Sequence, residues 1–128
     1  MADEMGSFRI DVEIENPARP GERREVRQVL IDTGAELSSF PAKLLESLGI
    51  ARGKIVRFRQ ANGSVFERWT GSGLVYAAGT FATDDLVFGE PGDIVLLGSR
   101  SLEGLNLRID PVSKRLIDGG PMLMAAVA

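Results

Sequence analysis

The sequence predicts a mostly β fold in a single domain, and three observations carry that expectation. Phe8-Arg9-Ile10-Asp11-Val12-Glu13-Ile14 alternates apolar and polar residues, the pattern of a strand with one face in a core. Asn62-Gly63 lies between two β-rich runs, Ile55-Val56-Arg57-Phe58-Arg59-Gln60 and Val65-Phe66-Glu67-Arg68-Trp69-Thr70, the strongest short signal for a hairpin. Val29-Leu30-Ile31 and Ile94-Val95-Leu96-Leu97 are apolar without alternation, as strands inside a domain are. At 128 residues, 44% apolar and 26% charged, the chain has room for one core but not for two large lobes. The domain spans residues 1–128, with a core over about 8–117 and an apolar tail over 118–128.

Taken in order, the first strand places Phe8, Ile10, Val12 and Ile14 toward the core. Two prolines and a glycine in Asn16-Pro17 through Pro20-Gly21 cannot sustain a ladder and make a loop. The nearby Arg19, Arg23, Arg24 and Arg27, interleaved with Glu22 and Glu25, read as a solvated loop and not as a phosphate site. The chain returns through Glu25-Val26-Arg27-Gln28-Val29, so a hairpin ends at Asp32. Pro41-Ala42-Lys43-Leu44-Leu45-Glu46-Ser47-Leu48-Gly49 predicts a helix with Ser39 as its cap, Leu44, Leu45 and Leu48 on one face, and Gly49 ending it. Gly71-Ser72-Gly73 predicts a bend, a bulge or a close backbone approach. The β pattern resumes from Phe81 to Phe88, and Asp84-Asp85 within it reads as a solvated turn. A turn at Glu90-Pro91-Gly92-Asp93 precedes the second apolar run, predicted to be buried on both faces. A short helix within residues 101–107 and two strands around a turn, 108–112 and 114–117, complete the domain.

Composition narrows the chemistry. The chain has no cysteine and no histidine, which removes disulfides, thiol nucleophiles and any Ser-His or Cys-His machinery. Ordinary zinc sites use those same residues, so neither a metal nor another cofactor is expected. A net charge of −3 and a pI near 5.0 give no general attraction to nucleic acid, and one Trp and one Tyr offer few stacking surfaces. Residues 1–8 lack the basic start and apolar centre of a secretory signal, and no apolar run approaches the ~18 residues of a membrane span. A cytoplasmic location without membrane contact is the expectation.

The most informative stretch is Val29-Leu30-Ile31-Asp32-Thr33-Gly34-Ala35, an apolar strand that delivers one carboxylate, one hydroxyl and one glycine at its end. Gly34 permits a tight turn, and Thr33 offers a hydroxyl for an inward hydrogen bond. Together with the glycine hairpin about thirty residues on, and Leu96-Leu97-Gly98 opening a short helix, this stretch resembles the retropepsin-like aspartic proteases, in particular small single-motif prokaryotic members. The resemblance runs from about residue 8 to 116. It implies a closed β-barrel with one or two short helices, forming half of a two-fold symmetric active site beneath a flap hairpin. By the same resemblance Asp32 is the catalytic aspartate, Thr33 grips the partner strand and Gly34 makes the turn. Ala35 and the flap residues Ala61, Asn62 and Gly63 would meet a peptide or protein substrate. Ser99-Arg100-Ser101 departs from the Gly-Arg-Asn or Gly-Arg-Asp of the family.

Aspartic protease chemistry needs two carboxylates that share a proton, and this chain has one such motif. Ile117-Asp118-Gly119-Gly120 lacks the threonine and reads as a terminal turn. A homodimer that brings two copies of Asp32 together is therefore the expectation, with the apolar tail as a further dimer contact. The competing reading is a dimerisation or interaction module of the same fold without proteolysis.

Overall fold

The computed structural model describes residues 8–124. Among the described residues nine strands and two short helices follow one another: β1 (Phe8–Glu15), β2 (Arg23–Ile31), β3 (Ser38–Pro41), α1 (Ala42–Ser47), β4 (Lys54–Arg59), β5 (Val65–Ala77), β6 (Thr80–Gly89), β7 (Leu96–Leu97), α2 (Ser99–Gly104), β8 (Leu107–Asp110) and β9 (Arg115–Asp118). The mostly β expectation holds. The main sheet runs β1-β2-β7-β3-β6-β5-β4, and a further pairing of Glu13, Ile14 and Glu15 with Tyr76, Val75 and Leu74 joins β1 to β5. The pairings thus close into a ring, with β4 outside it, and a ring leaves fewer open strand edges than a flat sheet does.

Alternation builds the core. Val12 and Ile14 of β1, Val29 and Ile31 of β2, and Leu86 and Phe88 of β6 all point into one cluster with Phe40, Leu45 and Leu97. Each such side chain contributes about 1.5–3 kcal/mol relative to exposure. A bulge between Ile10 and Val12 lets Asp11 accept the Gln28 amide at 2.9 Å, Gln28 taking a positive φ of 55°. Beyond it Val29 and Ile31 fall on the inner face, and Leu30 is left half-buried on the outer one.

Several local expectations change where distant pairing overrides them. Ser39 does not cap α1; it lies in β3, between Val87 of β6 and Leu96 of β7, and Pro41 stands at the helix start instead. Gly49 does end the helix, at φ 77°. Asp84-Asp85 is not a solvated turn: β6 runs through it unbroken, and Asp84 is 7% exposed. The cause is period two, since the register that buries Ala82 and Leu86 buries Asp84 between them. Only Leu96 and Leu97 of the second apolar run are strand, and Ile94 is 63% exposed, because β7 is paired over just those two residues. Of the readings for residues 71–73, close approach holds, since a Cβ on Gly71 would collide with the Ala51 carbonyl while β5 continues straight through. Arg23, Arg24 and Arg27 belong to β2 and not to a loop. Arg23 pairs with Glu13 and with Glu15, which is 3% exposed. Hydrogen bonds from Tyr76 and from the Gly21 amide, with Arg23 beside them, hold the Glu15 carboxyl below the usual range. In the tail, Met122, Leu123 and Met124 are exposed and do not pack on their own domain; residues 125–128 lie outside the described residues.

No helix among the described residues is long and apolar enough to cross a membrane.

Candidate active site

β2 ends at Ile31 and delivers Asp32 half-buried into a tight turn. The backbone of that turn is fixed on two sides. The Asp32 amide donates to the Leu97 carbonyl at 3.0 Å, extending the parallel pairing of Leu30 and Ile31 with Leu96 and Leu97. The Ala35 amide donates back to the Asp32 carbonyl at 3.2 Å. Within the turn the Gly34 amide donates to Asp32 Oδ1 at 2.9 Å, so one carboxylate oxygen is oriented, and the other has no hydrogen-bond partner among the described residues. A Cβ on Gly34 would stand 3.2 Å from that same Oδ1, so a side chain there would press the carboxylate a few tenths of an ångström out of place.

Behind the turn sits α2. A helix starts with amides that have no partner inside it, and here the turn supplies the acceptors: Ser99 donates to the Ala35 carbonyl at 2.8 Å and Arg100 to the Glu36 carbonyl at 3.0 Å. This contact requires Gly98, because a Cβ there would lie 2.6 Å from the Leu37 carbonyl oxygen and 2.9 Å from that of Ala35. Strand, turn and helix therefore form one backbone-locked unit that holds Asp32. Thr33 and Gly34 are exposed. The inward hydrogen bond expected of Thr33 is absent among the described residues, and its side chain faces solvent.

No protein-family model matches this chain, and no curated protein does so by sequence.

Ala61, Asn62 and Gly63 are at an exposed hairpin tip, as expected. The tip closes through the Gln60 amide to Ser64, the Gly63 amide to Gln60, and the Asn62 side chain accepting from Ser64, with Gly63 at φ 90°. Residues 65–69 of β5 pair with β4 alone, whereas β6 joins only from Thr70 onward. The tip thus ends a two-stranded arm beyond the ring. Among the described residues no hydrogen bond joins residues 60–64 to the Asp32 turn, so tip and acid are not directly linked within one chain.

The arm is tied down indirectly by Arg68. Its guanidinium grips Asp93 with both ends, at 2.7 and 2.9 Å, and stacks over Phe66. Asp93 lies in the turn leading to β7, whose Leu97 holds Asp32. The hydrogen bonds from Arg68 hold the Asp93 carboxyl below its ordinary range, outweighing its partial burial. A depressed folded value means stability that is present above the unfolded pKa, near 3.9, and lost as pH falls through the folded one. Asp93→Asn should therefore destabilise the protein by about 2 kcal/mol at neutral pH, the scale of a charged hydrogen bond. In urea titrations the gap between wild type and variant should stay constant down to about pH 4 and close below it. A gap independent of pH would show that the pair contributes by packing alone.

Sequence reasoning missed three buried polar residues behind the turn: Ser38 at 0%, Ser101 at 0% and Asp84 at 7% exposure. The alternation of residues 82, 84, 86 and 88 was the available signal.

Proposed function

We propose that the chain is an aspartic endopeptidase of the retropepsin-like kind, acting as a homodimer. The observation that carries this reading is the Asp32 turn: a half-exposed carboxylate, one oxygen oriented by Gly34, on a backbone locked by β7 and α2. The closed circuit of strand pairings supports the barrel half of the reading.

The second carboxylate comes from a second copy. An isologous interface sets a residue on the two-fold axis against itself, and exposed Thr33 next to Asp32, whose hydroxyl has no partner among the described residues, can bond the facing turn. Two carboxylates that close repel, so the two copies of Asp32 would share one proton between them. The ionised member takes a proton from a water, whose oxygen attacks the peptide carbonyl carbon. The protonated member gives its proton to the carbonyl oxygen. The resulting gem-diol collapses as the protonated carboxyl gives its proton to the amine nitrogen, the C–N bond breaks and the other carboxylate takes a proton from a gem-diol hydroxyl, so that the dyad ends with one proton.

Substrate contacts follow from the surface beside the turn. Leu30 and Leu96 are register partners, both half-buried, and exposed Ile94 lies two residues before Leu96. They give an apolar wall for side chains of an extended peptide. Ala35 borders the acid, and the arm ending at Ala61, Asn62 and Gly63 serves as the flap. The exposed Met122, Leu123 and Met124 contribute to the dimer contact.

The test is a diverse peptide library, incubated with the wild-type dimer from about pH 4 to pH 7, where a carboxylate pair holds one proton. Internal cleavage sites with apolar flanking residues are expected. A folded dimer that cuts nothing in that range would favour the interaction module instead.

A further inference from the structure

The polar residues behind the turn form a chain whose direction can be worked out. Asp84 Oδ2 lies 2.9 Å from Ser101 Oγ, Ser101 Oγ lies 2.6 Å from Ser38 Oγ, and the Gly98 amide lies 2.9 Å from Ser38 Oγ. An ionised carboxylate only accepts, so the single Ser101 proton goes to Asp84. Ser101 must then accept from Ser38. Ser38, its proton committed, accepts from Gly98. Every donor points one way, from the Gly98 amide through two hydroxyls to the Asp84 carboxylate. The other Asp84 oxygen accepts the Asp85 amide at 2.7 Å and faces Arg100 at 3.3 Å. No buried side-chain polar atom among the described residues lacks a partner.

The chain ends where the site is set. Gly98 separates Leu97, whose carbonyl holds the Asp32 amide, from Ser99, whose amide holds Ala35. We propose that Asp84 is a positioning residue for Asp32, acting through Ser101 and Ser38 to fix the depth of Gly98 beneath the turn. This rests on the peptidase reading for its catalytic consequence, but not for its structural one.

Asp84→Asn is the sharpest probe, because it preserves shape and changes the donors. If the amide nitrogen faces Ser101, both hydroxyls reverse, so that the Ser38 oxygen must accept from Ser101 and from the Gly98 amide at once while its own proton is left without an acceptor. If it faces Asp85, two N–H groups collide there instead. A buried group is stranded either way.

The experiment measures kcat and KM for Asp84→Asn, Ser101→Ala and the double variant, together with amide hydrogen exchange at Gly98, Ser99 and Arg100. Asp85→Asn is the control of equal charge change, since its carboxylate lies outside the chain but faces the same Arg100, at 3.7 Å, so it removes a charge beside Arg100 and leaves the hydroxyl chain intact. Expected are a kcat lower by about 10- to 100-fold with KM nearly unchanged, and Gly98 exchange at least about tenfold faster. The double variant should be no worse than the poorer single one, as for links in one chain. Should Asp84→Asn fail to fold, Ser101→Ala, which keeps the carboxylate and its Arg100 partner, decides alone. Unchanged exchange at Gly98 in a folded variant overturns the proposal, and so does faster exchange with unaltered kcat. A wild type without Asp32-dependent cleavage defeats the peptidase reading, while exchange still decides whether Asp84 holds the turn.

Discussion

Asp32→Asn should fold and dimerise like the wild type yet lose peptide cleavage, with kcat/KM lower by at least about 1,000-fold. The substitution keeps what the fold uses. The Asn side chain still offers an oxygen to the Gly34 amide, now 2.9 Å from Asp32 Oδ1, and the main-chain bonds to Leu97 and from Ala35 involve no side chain. Chemistry loses more, because an amide neither takes a proton from water nor holds one to share with a facing carboxylate. The check is cleavage of the best library peptide, with thermal unfolding and sedimentation as controls for fold and assembly. Retained cleavage by a folded variant would move the chemistry away from Asp32.

Much of this arrangement was legible because it is local. Period-two alternation located β1, Asn62-Gly63 located the β4–β5 hairpin, and the apolar run before Asp32 placed the acid at a strand end. The helix over residues 42–47 followed from leucine spacing and Gly49. What was not legible depends on neighbours remote in sequence. Ser39 resembles a helix cap until β6 and β7 pair on either side of it. Ile94 resembles a buried strand residue until β7 proves two residues long. Asp84 shows how a correct period can be overruled by a compositional habit. A pair of acids suggests solvent, but the strand places one of them inside, where Ser101 and Arg100 answer its charge. The Arg68–Asp93 pair was hidden for the simpler reason that its members stand 25 residues apart.

In the proposed homodimer one catalytic centre is built from two copies of the same acid. If each centre needs both Asp32 carboxylates, a dimer with one Asn is as inactive as a dimer with two. Wild-type chains should be mixed with increasing Asp32→Asn chains at constant total concentration, with exchange of protomers verified by mass spectrometry before the assay. Activity should fall as the square of the wild-type fraction, so that with about one chain in ten wild type only about one part in a hundred remains. A fall in direct proportion to the wild-type fraction would contradict the account, since each chain would then carry a complete site of its own.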